Sequence, residues 1–453
     1  MVTFDTLSQR VAAGLPKAIS VLEDLVRLPS LSAYPAPDDA LNRSAEYVAG
    51  RLHALGVNDV AIVRATGAEG TPGGPGVIGR LPGPPGAPTV LLYAHHDVQP
   101  VANDWSTDPW APTRVGDRLY GRGAADDGAG VVTHLAALAA LGQDLGVGVA
   151  FFIEGEEEAG SPTFARLLAE HADRLAADVV VVADSDNWAI DVPALTTSLR
   201  GVVSATVTLR IAQHAVHSGM FGGPLLDAPL LLARLIATLH DDTGAVAVEG
   251  LGPVGAAAFD YPESRLRAEA GLLPETKLAG TGPLADRLWF APAIALTGFD
   301  APPVNQASNT IHPVARCELS LRVPPEGDVL AAGQALKRHL ETKAPFGAAV
   351  EVALGAGGNG FMADVDGPAA TACRWALEQA FGNPVALLGQ GGSIPLANEL
   401  AAQFPEAEIL LTGVEDPASR AHSGDESVHL GMLEKAILAE ALFLAKLGGT
   451  LDE

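Results

Sequence analysis

The sequence predicts an α/β fold: a mostly parallel sheet with helices on both faces, and a smaller inserted domain. Short apolar strands alternate with helical segments between residues 89 and 183, as in parallel sheets whose two faces are both covered. After Gly201 the strands instead alternate apolar and polar residues, which is typical of half-buried antiparallel strands. The order of this second set, βαββαβ, indicates a ferredoxin-like domain.

In the first domain, apolar residues recur at helical or strand spacing. Gly56 and Gly142 follow two of the helical segments, and glycine commonly ends a helix. The predicted elements are helices 6–27 and 40–55, strand 89–93, helix 129–141, strand 147–153, helix 162–175 and strand 178–183.

The second set of elements interrupts the first domain. It comprises strand 203–211, helix 225–239, strands 293–297 and 314–323, helix 328–343 and strand 349–354. Residues 244–282 follow no clear pattern. Helix 369–381, strand 408–412 and a final helix then resume the first pattern. We therefore predict a catalytic domain of residues 1–200 and 367–453 and an inserted domain of residues 201–366.

Composition narrows the possible partners and location. The chain has 453 residues, with 28 Lys and Arg against 54 Asp and Glu, a net charge of −26. Such a charge disfavours nucleic acids and anionic membranes as partners. No signal-peptide pattern opens the sequence, and no charge-free apolar stretch reaches the roughly 20 residues that a membrane span needs. With two distant cysteines, Cys317 and Cys373, we expect buried thiols and a cytoplasmic protein.

Acids and histidines follow the predicted strands of the first domain where each strand ends. In open α/β sheets, ligands bind beyond the carboxyl ends of the strands. Carboxylates gathered there repel one another and lose solvation, and bound cations would offset both effects. The sequence therefore predicts a metal site, most specifically that of a two-metal hydrolase. The residues are His95, Asp97, Asp126, Asp127, Glu156, Glu157, Glu158, Asp184, Asp186 and His422.

Taken singly, these residues also have ordinary structural explanations. Asp126 and Asp127 precede a predicted helix, where aspartate is a preferred N-cap. The glutamates at 156–158 suit a helix entry, because the helix dipole favours acids there. Asp184 and Asp186 both follow one strand, and residue chemistry alone does not choose between them.

Other chemistries fit less well. Residues 74–79 match the glycine pattern of a dinucleotide-binding loop, but prolines surround them and no helical pattern follows, so that context is absent. Neither Ser393 nor Ser423 lies in the Gly-x-Ser-x-Gly turn of a serine hydrolase. The His-Glu-x-x-His zinc motif is also missing.

Together the motifs resemble the di-zinc metallopeptidases that include carnosinase-like dipeptidases, aminoacylases, glutamate carboxypeptidases and succinyl-diaminopimelate desuccinylase. The residues of the first and fifth motifs, in the order given next, are similar to those of the dipeptidase branch. The motifs are Leu-Tyr-Ala-His95-His-Asp97-Val-Gln-Pro, Gly-Arg-Gly-Ala-Ala-Asp126-Asp127, Glu-Gly-Glu-Glu157-Glu158-Ala-Gly-Ser, Val216-His217-Ser-Gly-Met-Phe, Gly391-Gly-Ser393-Ile-Pro and Ala421-His422-Ser.

The resemblance implies two divalent metal ions, Zn by preference, with Mn or Co also compatible. By analogy, His95 and Asp184 would hold one ion, Glu158 and His422 the other, and Asp126 would bridge them. Counting back from Pro193 to the family's ligand position selects Asp184 over Asp186. The resemblance makes Glu157 the general base for a metal-activated water, and Asp97 the residue that orients His95.

His214 and His217 lie in a glycine-rich segment. That segment could be a flexible hairpin, or an imidazole there could stabilise an oxyanion. In dimeric relatives the histidine matching His217 reaches the partner's active site. The resemblance therefore implies a homodimer formed through the inserted domain.

The resemblance also implies a substrate class. Asn309, Arg322, Gly392 and Ser393 match positions that hold the substrate's carboxylate end or backbone. We expect hydrolysis of the amide bond of dipeptides or short peptides. The alternatives are an N-acyl amino acid amidohydrolase, of the aminoacylase or desuccinylase kind, and a non-catalytic peptide-binding relative.

Overall fold

The computed structural model describes residues 1–32, 39–67, 70–101, 104–391 and 395–452. The chain divides into two compact units. Unit 1 comprises Met1–Thr197, Ala363–Leu388 and Pro395–Glu453, and unit 2 comprises Ser198–Met362 and Gly389–Ile394. The catalytic and inserted domains expected from the sequence, with their ranges, stay a prediction.

The helices of the described chain include long amphipathic helices and several single turns. The predicted helix at 162–175 is two helices, α4 and α5, separated at His171, and the unassigned stretch 244–282 contains the short helix α8. The helices are α1 (Phe4–Val26), α2 (Ala40–Ala54), α3 (Gly128–Leu141), α4 (Phe164–Glu170), α5 (Ala172–Leu175), α6 (Ser218–Phe221), α7 (Ala228–Ile236), α8 (Glu263–Glu269), α9 (Leu284–Trp289), α10 (Val329–Thr342), α11 (Pro368–Phe381), α12 (Pro395–Gln403) and α13 (Leu430–Leu447).

Among the residues that the structure describes, the strands form two principal sheets and three small ones. The small sheets, β1–β20, β11–β13 and β19–β6–β5, consist of strands of two or three residues, whose patterns are too short to recognise in the sequence. The strands are β1 (Val2–Thr3), β2 (Asp59–Val63), β3 (Gly76–Leu81), β4 (Thr89–His95), β5 (Thr113–Val115), β6 (Arg118–Tyr120), β7 (Gly148–Glu154), β8 (Val179–Val182), β9 (Ala194–Leu199), β10 (Gly201–Arg210), β11 (Val216–His217), β12 (Ala293–Asp300), β13 (Thr310–Ile311), β14 (Val314–Val323), β15 (Ala349–Gly358), β16 (Phe361–Met362), β17 (Ala386–Gln390), β18 (Glu408–Leu411), β19 (Ser427–His429) and β20 (Leu451–Asp452).

The principal sheet of unit 1 is mixed. Its central strands β18, β8, β4 and β7 run parallel, as the sequence predicted. The flanking pairs β7–β3, β3–β2 and β18–β9 are antiparallel, so the prediction of a mostly parallel sheet is wrong for the flanks. Between β2 and β3 the chain returns directly, without the crossover helix that a parallel pair requires.

The core of unit 1 lies between the central strands and the helices that cover them. Every residue of β7 and β8 is buried, which explains why these strands read as continuous apolar runs. Helix α3 packs against α1 and α13, and α13 also packs against α11. These helices cover the parallel strands, whose carboxyl ends lie at one edge of the sheet.

Unit 2 is built around a four-stranded antiparallel sheet in the order β12-β14-β10-β15. Helix α10 packs against β15 and β10, and α7 packs against β14. Along β10, Val203, Ala205, Val207 and Leu209 are buried while their neighbours are more exposed. The predicted alternation of this strand is confirmed.

Two further sequence expectations concern the cysteines and membranes. Cys317 and Cys373 are both buried free thiols, as expected. Across the described ranges, every helix is too short or too polar to pass through a bilayer.

Candidate metal centre

The acids and histidines of unit 1 follow the carboxyl ends of its parallel strands. His95 is the last residue of β4, and Glu157 opens a short 3₁₀ helix just after β7. Asp184 follows β8, and Asp127 caps the start of α3 by accepting the N–H of Gly130 at 3.1 Å. The sheet therefore delivers residues from distant parts of the sequence to one edge.

Asp126 lies between two histidines. Its Oδ1 atom is 3.0 Å from Nε2 of His95, and its Oδ2 atom is 2.9 Å from Nε2 of His422. Nε2 of His422 is also 3.2 Å from Oε2 of Glu158, and Nε2 of His95 is 3.9 Å from Oδ2 of Asp184. One carboxylate thus faces two separate sets of possible ligands, which is the arrangement a bridging ligand requires.

The possible ligand atoms form three overlapping groups. Within each group the atoms lie within 4.8 Å of one another, and the groups are His95–Asp127–Asp184, Asp126–Glu158–His422 and Asp126–Asp184–Glu415. Asp186 is exposed and belongs to none of these groups, which were found among the described residues. The structure therefore brings Asp184, rather than Asp186, to His95.

The donors suit a divalent cation. Oε1 of Glu158 is buried and has no hydrogen-bond partner among the described residues, and an unpaired buried carboxylate oxygen is costly unless a cation compensates it. Imidazole and carboxylate ligands without thiolate fit Zn and also allow Mn or Co. A metal ion bound beside Glu158 would compensate this oxygen.

Asp97 contacts both sides of the centre. It is fully buried, and its carboxylate accepts the backbone N–H groups of Glu157 at 3.2 Å and Glu158 at 3.0 Å. Nδ1 of His95 lies 3.0 Å from the carbonyl oxygen of Asp97 and 3.4 Å from its Oδ1 atom. Asp97 therefore fixes the loop after β7 as well as the imidazole after β4.

Burial and charge repulsion raise the pKa of two acidic groups of the centre, Glu157 and Asp184. Burial raises the pKa of Glu157 to about 8, opposed by His95 and reinforced by the charges of Asp184, Glu158 and Asp126. Burial likewise raises the pKa of Asp184 to about 7. A carboxyl group that titrates near neutrality is suited to accept and return a proton.

The histidines stabilise the carboxylate of Asp126. Burial works against the charge of Asp126, but hydrogen bonds from His422 and His95 hold its pKa well below the usual range. Hydrogen bonds to Asp126 and Glu158 raise the pKa of His422 to about 10. Without a cation, protons on the histidines compensate the carboxylates, and a metal would have to displace them.

Two acids of this centre, Glu415 and Glu426, were not predicted as contributors. Asp127, predicted both as a site residue and as a helix cap, caps α3 and also accepts the backbone N–H of His95 at 3.1 Å. Glu415 follows β18 and joins Asp126 and Asp184. Glu426 accepts the backbone N–H of Asp126 at 3.1 Å. For Glu415 and Glu426 the nearby Ala-His422-Ser motif was the sequence signal, because both flank it.

The remaining predicted residues belong to unit 2 or lie outside the described ranges. His217 in β11 pairs with Thr310 in β13, and the N–H of Ser218 donates to the carbonyl of Asn309 at 2.9 Å. His217 and Asn309 are therefore brought side by side. Arg322 lies on β14 of the same unit. Gly392 and Ser393 lie outside the described residues.

Histidines and carboxylates that converge at the carboxyl edge of a mixed sheet indicate a metal-dependent hydrolase. The chain belongs to Peptidase family M20/M25/M40, whose family model matches residues 91–446. The family expected from the motifs is therefore confirmed.

Individual relatives agree with this assignment. The chain is 34% identical over 438 residues to a cysteinylglycine-S-conjugate dipeptidase of Corynebacterium striatum, covering 94% of both proteins. It is 28% identical over 459 residues to a Beta-Ala-His dipeptidase of Homo sapiens, covering 94% of this chain and 89% of that protein. The solved structure of human carnosine dipeptidase 1 matches with a TM-score of 0.78 and 27% identity, covering 99% of each chain.

Proposed function

We propose that this chain hydrolyses the amide bond of dipeptides or short peptides, using two divalent metal ions. The observation that carries the proposal is the position of Asp126, whose two carboxylate oxygens each lie within 3.0 Å of a different histidine. The dipeptidases among the relatives support the substrate class.

Five residues would hold the ions. His95 and Asp184 would bind one, Glu158 and His422 the other, and Asp126 would contact both. Zn suits this set best, with Mn and Co as alternatives. When bound, such ions lower the pKa of a water molecule and polarise a substrate carbonyl group.

Glu157 would transfer the proton. It is proposed to remove a proton from the water that attacks the substrate carbonyl carbon, and to deliver that proton to the amine nitrogen as the C–N bond breaks. Without metal, burial raises the pKa of Glu157 to about 8, and the two bound cations would lower it towards the range in which the carboxylate accepts a proton. Asp97 supports this role, because it accepts the N–H of Glu157 and thereby limits movement of the loop.

The inserted domain is proposed to act as a lid and dimerisation domain. Strand β12 forms one end of the sheet of unit 2, and its Leu296 and Phe299 are 49% and 38% exposed. An exposed apolar edge strand is a favourable surface for a second copy to cover. In such a homodimer, His217 would stabilise the oxyanion of the reaction in the partner's active site.

Substrate binding is assigned to the same domain. Arg322 is proposed to bind the terminal carboxylate in a bidentate manner, while Asn309 and the Gly392–Ser393 turn hold the backbone. Arg200 supports a site for an anion here, because burial and the charge of Arg322 lower its pKa to about 10. Two neighbouring guanidinium groups are stabilised by a bound carboxylate.

The free thiols favour a reducing compartment, so we propose action in the cytoplasm.

Metal analysis combined with a substrate panel tests the proposal. The purified chain should contain two divalent ions and should cleave dipeptides in preference to N-acyl amino acids and succinylated amines. Cleavage of acetylated amino acids without dipeptide cleavage would instead identify an aminoacylase. Bound metal without turnover of any amide would indicate a non-catalytic peptide-binding protein.

A further inference from the structure

The carboxylate of Glu426 is completely buried directly behind Asp126. Its Oε1 atom accepts the N–H groups of Ala125 at 2.9 Å and Asp126 at 3.1 Å. Its Oε2 atom accepts the N–H of Gly123 at 3.1 Å and a guanidinium N–H of Arg122 at 2.7 Å. All four donors belong to residues 122–126, the segment that ends at the proposed bridging ligand.

The same residue is tied to that segment through its main chain. The N–H of Gly121 donates to the carbonyl of Glu426 at 3.0 Å. Glu426 also lies four residues after His422, the proposed ligand on the other side of Asp126. The loop carrying Asp126 and the loop carrying His422 are therefore joined at one buried carboxylate.

Arg122 compensates the charge of this carboxylate. Its side chain is 1% exposed, donates to the carbonyl of Ser423 at 3.2 Å, and lies over the ring of Trp105 at 5.4 Å. A buried ion pair gains little net stability over an apolar replacement, because desolvating both charges is costly. A contribution to stability therefore explains this buried ion pair poorly. Holding Asp126 in a fixed geometry explains it specifically.

We infer that Glu426 is a positioning residue that sets the orientation of Asp126 relative to His422, an inference that rests on the proposed metal-dependent function. A carboxylate suits this position because it only accepts hydrogen bonds, and the four described groups that hydrogen-bond its oxygens are all donors. An amide would turn an NH₂ group towards either Arg122 and Gly123 or Ala125 and Asp126, and the loop would have to move.

The test compares Glu426→Gln with Glu440→Gln. Glu440 is a matched control because it is a buried carboxylate of the same unit and pairs with His134 at 2.8 Å. Metal content, Co²⁺ binding followed by visible absorption, and kcat and KM for a dipeptide would be measured for both variants and the wild type. Denaturation midpoints would show how much stability each variant loses.

Glu426→Gln should weaken Co²⁺ binding and lower kcat by about 10–100-fold, the usual range for partners of metal ligands, with KM near the wild-type value. Its Co²⁺ spectrum should also change, whereas Glu440→Gln should lose stability alone. If Glu426→Gln is too unstable to purify, Arg122→Lys should change the Co²⁺ spectrum in the same manner, because the ammonium cannot make all the guanidinium contacts.

Two negative results can be distinguished. A wild-type chain that binds no divalent metal and cleaves no amide overturns the proposed function together with this inference. The inference alone is overturned if the wild type is active but Glu426→Gln behaves like Glu440→Gln in Co²⁺ affinity, Co²⁺ spectrum and kcat. The same result for Arg122→Lys, if that variant has to be used instead, also overturns it.

Discussion

The carboxylate of Asp97 accepts the backbone N–H of Glu157 at 3.2 Å. The same carboxylate has an oxygen 3.4 Å from Nδ1 of His95, so one buried side chain connects a proposed metal ligand to the proposed general base. Sequence reasoning assigned Asp97 to His95 alone. Because Asp97 lies between β4 and the loop after β7, it contacts both His95 and the backbone of Glu157.

Replacing Asp97 with asparagine should therefore affect both partners. The amide can accept fewer hydrogen bonds, and its NH₂ group would face an N–H donor of Glu157 or Glu158. We expect kcat to fall by about 10–100-fold, with weaker metal binding, as for other residues that orient ligands. Steady-state kinetics and metal content measure the effect, and wild-type values for both would contradict this role.

Glu157→Ala should separate proton transfer from metal binding. The proposed ligands remain, so the variant should keep its metal while kcat falls by about 10²–10⁴-fold, the usual contribution of a general base. Metal analysis and turnover of one dipeptide, each compared with the wild type, provide the measurement. Full activity in this variant would remove Glu157 from the mechanism.

Metal binding should release protons. Hydrogen bonds to Asp126 and Glu158 raise the pKa of His422 to about 10 in the metal-free protein, so this ligand is protonated at neutral pH and must lose its proton to bind a cation. Affinity should therefore rise as the pH is raised. Calorimetric titration of Zn²⁺ in two buffers with different ionisation enthalpies counts the protons, and identical heats after correction for buffer–metal binding would refute the prediction.

The buried pair of His134 and Glu440 should make stability depend on pH. Burial opposes the charge of His134, but Glu440 raises its pKa above the ordinary value. A group with a raised pKa stabilises the fold fully below its unfolded pKa, about 6.5, and loses that contribution as the pH rises through the folded value. The wild type should have a higher free energy of unfolding than His134→Gln at pH 6. This difference should shrink as the pH rises from 6. Urea denaturation of metal-free protein measures this difference, and a constant difference would show that His134 is not charged in the fold.

Mixed subunits should reveal whether His217 acts across a dimer. If His217 of one copy serves the centre of the other, mixing Glu157→Ala with His217→Ala chains creates one site with both residues intact. Activity should then recover to a fraction of the wild type. Each variant mixed with itself is the control, and no recovery in verified heterodimers would indicate a site completed within one chain.

Much of this protein is determined by local sequence. Apolar runs at β4, β7 and β8 predicted buried strands, and the alternation along β10 predicted a half-buried one, as the structure shows. Because polar residues directly after buried parallel strands share one edge of a sheet, the approximate place of the metal centre followed as well. Of the residues predicted there, five meet at that edge and Asp186 does not; the five are His95, Asp126, Glu158, Asp184 and His422.

Packing between distant segments decided the rest. Asp184 and Asp186 are equivalent in local sequence, and only the direction of the chain after β8 brings the first of them to His95. Arg122 and Glu426 lie 304 residues apart, so no local pattern could reveal that one supports the loop of the other. Periodicity reports which face of an element is buried, whereas a metal centre depends on which side chains of separate elements converge, and that is settled only when the elements pack.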